Sequence, residues 1–221
     1  MRTALNRIEH SEEKTPMTAN DEIDLKAQLN LIETMIAEGR RKTESWGWTF
    51  VLWGVAYYIA IAWSNWGQNI AVLGRGAYAW PVTMIAAAIV TMVIGMSKGK
   101  GQPGTTIGRA IVSIWISVGI SMLLIFPALS LAGRIDEHAF VALVAAMLGI
   151  ANGASGMILK WKMQVASAVV WWTASVAACF GSEAQLTVVF LTALFLCQIV
   201  FGAYAMIIES RRNRRHVALH A

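Results

Sequence analysis

Six stretches of this chain contain no Asp, Glu, Lys, Arg or His: residues 47–66, 77–97, 110–132, 139–159, 163–181 and 184–208. Each is 19 to 25 residues long. A helix of about 20 apolar residues spans the roughly 30 Å hydrocarbon core of a bilayer, and a charge at its centre costs about 2.5–3.5 kcal/mol or more. Each stretch is therefore long enough to cross once and too short to cross twice. Six in succession predict an all-α polytopic integral membrane protein. Only 14% of the residues are charged against 57% hydrophobic, which leaves too little polar surface for a water-soluble globule. The first 20 residues are polar and offer no apolar core for a signal peptide, so the first span is expected to direct insertion. No alternation of apolar and polar residues suggests an outer-membrane barrel.

The first span carries its own ruler. Trp46 and Trp48 stand at one end, Trp63 and Trp66 at the other. Twenty residues of helix measure about 30 Å, so these four indoles are expected to anchor the two membrane interfaces. Tyr78 and Trp80 mark the start of the second span. Pro127 falls inside the third, where its missing N–H predicts a kink.

Orientation follows from the basic residues. Seven Lys and Arg precede the first span, three lie between spans two and three, two between four and five, and four after six. The alternate segments hold one, one and none. The positive-inside rule then predicts a bacterial cytoplasmic (inner) membrane protein with both termini in the cytoplasm.

Four regions result: a disordered tail over 1–20, a cytoplasmic amphipathic helix and basic juxtamembrane segment over 21–44, a membrane domain over 45–209, and a basic tail over 210–221. In the second region Leu25, Leu29, Ile32 and Ile36 recur at spacings of 4, 3 and 4, the period of one helix face. That helix is predicted to end near Gly39. Segment 1–44 contains nine acidic and seven basic residues. Helices that lie flat on membranes favour a basic polar face, so this stripe is read as a docking face for a cytoplasmic protein partner or for self-association through 21–39. Arg40, Arg41 and Lys42 are expected at the lipid headgroups. The glycine-rich stretch 98–109 reads as a flexible linker. Gly99 and Gly104 have phosphate-loop spacing, but Thr105 stands where Lys is required.

Within the spans two patterns stand out. Ala142, Ala146, Gly149, Gly153 and Gly156 form a small-residue stripe along span four, suited to close helix packing within one chain or between copies. Ser113, Ser117 and Ser121 line one face of span three and, with Asn152 and Gln198, are the candidate lining of a polar path. More often, hydroxyls at this spacing bond back to carbonyls four residues earlier or to a neighbouring helix. No acid, base or metal ligand lies within a span, so neither a proton relay nor a cofactor is expected, and the arginines after span six read as a topology signal rather than a nucleic-acid site. Asp136, Glu137 and His138 make a local cluster at the outer interface, Cys179 and Cys197 are placed at different depths, and no disulfide is expected.

Two resemblances bear on function. Gly153-Ala154-Ser155-Gly156 resembles the G-x-S-G of rhomboid intramembrane proteases, whose serine works with a histidine on the sixth span; residues 184–208 contain no His. The stretch Ile32-x-x-Met35-Ile36, then Arg40-Arg41, then Phe50-x-x-Trp53-Gly54 resembles the opening of a group of bacterial six-span membrane proteins with an amphipathic helix before the first span. That likeness implies the same architecture and no particular activity. Two readings follow for the whole chain: a non-catalytic membrane protein acting through helix packing and partner contact, or a small permease or channel subunit for a neutral or apolar solute.

Overall fold

The computed structural model describes residues 19–66, 78–98, 106–134 and 136–220. Most of the predicted tail over 1–20, residues 99–105 of the glycine-rich linker, and Arg75 lie outside the described residues. All the regular structure described is helical: α1 (Ala19–Ser45), α2 (Gly47–Trp66), α3 (Ala79–Lys98), α4 (Thr106–Leu131), α5 (Glu137–Ile158), α6 (Lys162–Phe180), α7 (Glu183–Leu194), and α8 (Phe201–His220), which a π-helical segment (Phe195–Val200) joins to α7. Six helices are long and apolar enough to cross a membrane, the last formed by α7, the π segment and the start of α8. The fold is that of an all-α multi-pass membrane protein.

The chain divides into two compact units, residues 1–34 and 35–221. In the described part of the first, Glu22 to Thr34 are exposed on every side of α1. The second begins with the remainder of α1, and the helix does not stop at Gly39. A Cβ on Gly39 would lie 2.8 Å from Ile107 and 3.2 Å from Leu159, so this glycine serves a close approach to α4 and the α5–α6 turn rather than a helix end. The helix continues to Ser45, and Trp46 makes the one-residue turn into α2.

The α5–α6 pair is the most extensive contact, α3 rests on α2, and α4 on α5. Capping explains where α5 and α7 begin. Asp136 accepts a hydrogen bond from the Ala139 amide (2.7 Å), and Ser182 and Gln185 form a reciprocal capping box. His138 reaches from α5 to the Gly181 carbonyl, with Nε2 3.1 Å from the oxygen. The described residues contain no group of three His, Cys, Asp or Glu able to hold a metal, and both cysteines are free thiols. α4 runs through Pro127.

The turn between α5 and α6 is tighter. The Trp161 amide donates to the Gly156 carbonyl (2.9 Å) and the Lys160 amide to Met157 (3.3 Å), the paired bonds of a Schellman cap. Such a cap needs a left-handed residue, and Lys160 takes that place at φ 49°. A side chain there costs about 1–2 kcal/mol, partly offset by the backbone entropy that glycine would lose. Lys160→Gly is expected to stabilise the fold by about 0.5–1 kcal/mol, measured as a rise in thermal midpoint in detergent. A lower midpoint would show that the lysine side chain contributes more than its backbone strain costs.

Two apolar clusters fill the bundle. The larger joins Tyr57 of α2, Val144 and Leu148 of α5, Trp171 of α6 and Phe190 of α7. The smaller joins Phe50, Ile111, Leu159, Trp161 and Phe201 at the end where the chain enters and leaves.

Candidate functional site

Three places in the molecule present chemistry that packing alone does not use. The first is the face of α1. Leu25, Leu29 and Ile32 are exposed, as are Ile23 and Leu31, while Ile36 is half-buried. The period that makes this stripe also makes it a helix. Asp24 and Gln28 support it with a side-chain hydrogen bond one turn apart (2.9 Å).

The second is a charged knot at the basic end of the bundle. Glu44, the penultimate residue of α1, is only 3% exposed. Its Oε1 accepts from Arg40 Nε at 3.2 Å, and its Oε2 accepts from Arg212 of α8. The Arg40 guanidinium also lies over the Trp161 indole, 5.6 Å from the ring centre. Trp161 then begins an aromatic chain: it meets Phe201 at 5.0 Å, Phe201 meets Phe50 at 5.0 Å, and Phe50 meets Trp115 at 5.4 Å. Arg40, expected at the headgroups, is thus spent on a carboxylate and an indole. Arg212, expected as part of a topology signal, also makes a structural pair. Burial of Glu44 is tolerable because both carboxylate oxygens are satisfied by charged donors.

The third is a set of uncharged polar side chains inside the bundle: Asn152 and Ser155 of α5, Gln164 and Ser167 of α6, and Gln198 of the π segment, all buried. Contacts between the helices place them at neighbouring levels. A Cβ on Gly153 would lie 3.4 Å from Ala168, one on Gly156 would lie 3.1 Å from the Gln164 carbonyl carbon, and Cys197 Sγ is 3.5 Å from the Ser167 carbonyl oxygen. Asn152 donates its amide nitrogen to Leu148 O (2.9 Å). Asn152 Oδ1, Ser155 Oγ, both amide atoms of Gln164 and Gln198 Oε1 have no hydrogen-bond partner.

The stripe on span four is used within the chain. Gly149 and Gly153 seat the Trp172 indole of α6, and Gly156 admits Val165 and the backbone of Gln164. Ala142 contributes its carbonyl, which accepts from Ser175 Oγ at 2.8 Å, and Ala146 is half-buried. The five-residue polar path is not assembled. Ser113, Ser117 and Ser121 are exposed on α4, and the hydroxyls of Ser113 and Ser121 donate to Arg109 O and Ser117 O, each at 2.9 Å. That local bond removes the cost of facing lipid. Asn152 and Gln198 lie instead in the interior, and Gln198 packs against Gly54 of α2 rather than against the serines. Of the four interfacial indoles, Trp66 is exposed and Trp46, Trp48 and Trp63 are half-buried; Trp46 packs toward Gly95 of α3.

Glu44 and Gln164 did not stand out in the one-dimensional pattern. A signal existed for the first, since Arg40 and Glu44 are one turn apart and both precede a span. Gln164 sits two residues into α6, where an amide normally reaches water, and only the neighbouring helices bury it. Comparison of the chain with models of protein families, with curated proteins and with solved structures returned no match.

Proposed function

We propose that this membrane protein acts by contact rather than by catalysis: its bundle holds α1 at the cytoplasmic face of a bacterial inner membrane, where the apolar stripe pairs with a helix of a protein partner. The exposure of Leu25, Leu29 and Ile32 along one face carries this reading. Leaving three such side chains in water forgoes about 1.5–3 kcal/mol each, and a partner recovers it. Charge selects the kind of partner. Residues 19–34 hold Asp21, Glu22, Asp24 and Glu33 against the single Lys26. Anionic headgroups repel such a segment, whereas an amphipathic helix with basic flanks complements it.

The test is a photo-crosslinking residue in place of Leu25 in the full-length protein, illuminated in cells. A discrete protein adduct is expected, and it should fall by about tenfold or more when Leu29→Asp and Ile32→Asp are added, since burying one carboxylate in an apolar seam costs at least several kcal/mol. Adducts to lipid, or a protein adduct indifferent to the two aspartates, would overturn the reading. Oligomer size in nanodiscs then decides whether the partner is a second copy.

A further inference from the structure

We infer that the buried polar side chains of α5, α6 and the π segment form a binding site for a small uncharged polyhydroxylated molecule. This goes beyond contact through α1 and rests on different residues. A polar atom with no partner costs several kcal/mol in a bilayer, where no water stands ready to serve it. Here Asn152, Ser155, Gln164 and Gln198 contribute five such atoms, and the residues bearing them are at most 2% exposed. The indole nitrogens of Trp161 and Trp171 are likewise buried and unpartnered. A dry, closed core would leave the five atoms of Asn152, Ser155, Gln164 and Gln198 unsatisfied where α5, α6 and the π segment meet.

The backbone is shaped around the same place. The last span widens into a π turn over Phe195–Val200, and the Phe201 amide bonds back to Leu196 O, five residues earlier. π segments recur at functional sites because they offset a side chain from the regular helix register. Gln198 is the polar residue that this turn presents. Gly54 faces it: a Cβ there would lie 2.8 Å from Gln198 Cβ and 2.8 Å from Ile199 Cδ1. On α6, Trp161, Gln164, Ser167 and Trp171 follow at spacings of 3, 3 and 4, so amide and hydroxyl are bracketed by indoles on one face.

The chemistry of these atoms selects the ligand class. Asn152 Oδ1 and Gln198 Oε1 accept only, the indole nitrogens donate only, and Ser155 and Gln164 do both. A hydroxyl group serves either role by rotation, which suits a polyol. None of these side chains carries a charge, so the set offers nothing to balance an ion.

The test uses glycerol as the probe and the full-length protein in nanodiscs, read by saturation-transfer NMR against empty nanodiscs. Transfer to glycerol is expected in the wild type and in Ser121→Ala. It should fall about tenfold in Gln164→Leu/Gln198→Leu, equivalent to roughly one hydrogen bond. Asn152→Ala, which keeps both glutamines, is expected to reduce it severalfold and stands in should the double variant not fold. No transfer above empty nanodiscs would overturn the proposal, as would a signal that survives these substitutions. So would a higher thermal midpoint in Gln164→Leu/Gln198→Leu without glycerol binding, because it would mean that the layer is closed and merely unsatisfied.

Discussion

Replacing Gly202 by Val is expected to destabilise the protein by about 3 kcal/mol, the upper part of the range for overpacking a filled site. Where α2 and α8 cross, a Cβ on Gly202 would lie 2.8 Å from the Gly47 carbonyl oxygen, 2.8 Å from Val51 Cγ2 and 3.0 Å from the Val51 amide nitrogen. The reciprocal position is as tight, since a Cβ on Gly47 would lie 2.8 Å from Ala205 and 2.9 Å from the Gly202 carbonyl oxygen. Two of the three obstacles to Gly202→Val are backbone atoms. They cannot rotate away as a side chain does, so the helices themselves must separate. The consequence reaches past stability, because Phe201 and Ala205 of the smaller apolar cluster sit on the same crossing. Gly119→Val provides the control: nothing lies within 4 Å of a Cβ on that exposed residue of α4. Thermal unfolding in detergent should separate the two variants clearly. Equal midpoints would mean that the α2–α8 crossing is looser than its glycines imply.

Glu44→Ala is expected to cost about 2 kcal/mol. Hydrogen bonds between charged groups contribute about 1.5–3 kcal/mol each, but Arg40 is 43% exposed and Arg212 29% exposed, so solvent screening reduces both. The loss should depend little on salt, since the carboxylate itself is buried. A double-mutant cycle distinguishes the pair from general damage. Glu44→Ala combined with Arg212→Ala should cost clearly less than the two single losses added together. Glu44→Gln keeps an acceptor and the shape, and should fall between wild type and Glu44→Ala. Additive losses in the cycle would sink the claim that Glu44 joins α1 to α8.

Much of this protein is legible without its structure, and the failures have a common physical cause. The first span is predicted over 47–66 and α2 occupies Gly47–Trp66. Leu25, Leu29 and Ile32 were readable as one face, and they are exposed together. Gly39 looked like a helix stop because glycine is a poor helix former, but the neighbouring helix explains it better. Ser113, Ser117 and Ser121 looked like a lining because they share a face; which way that face turns is not written in its period. Arg40 reads as a headgroup charge and Arg212 as a topology signal because the pairing is not local: Glu44 lies 168 residues from Arg212 along the chain.

What the amino-acid order determined by itself is the set of spans and the amphipathic helix before them. The cost of placing a charge in hydrocarbon is paid residue by residue, so a charge-free run of the right length is sufficient evidence. The rotation of each helix about its own axis was decided only in the tertiary structure. Glycine, serine and glutamine cost little enough in a span that either side is open to them until neighbours arrive. Packing then turned the serines of α4 outward, drew Gly47 against Gly202, and gathered Asn152, Ser155, Gln164 and Gln198 into the interior.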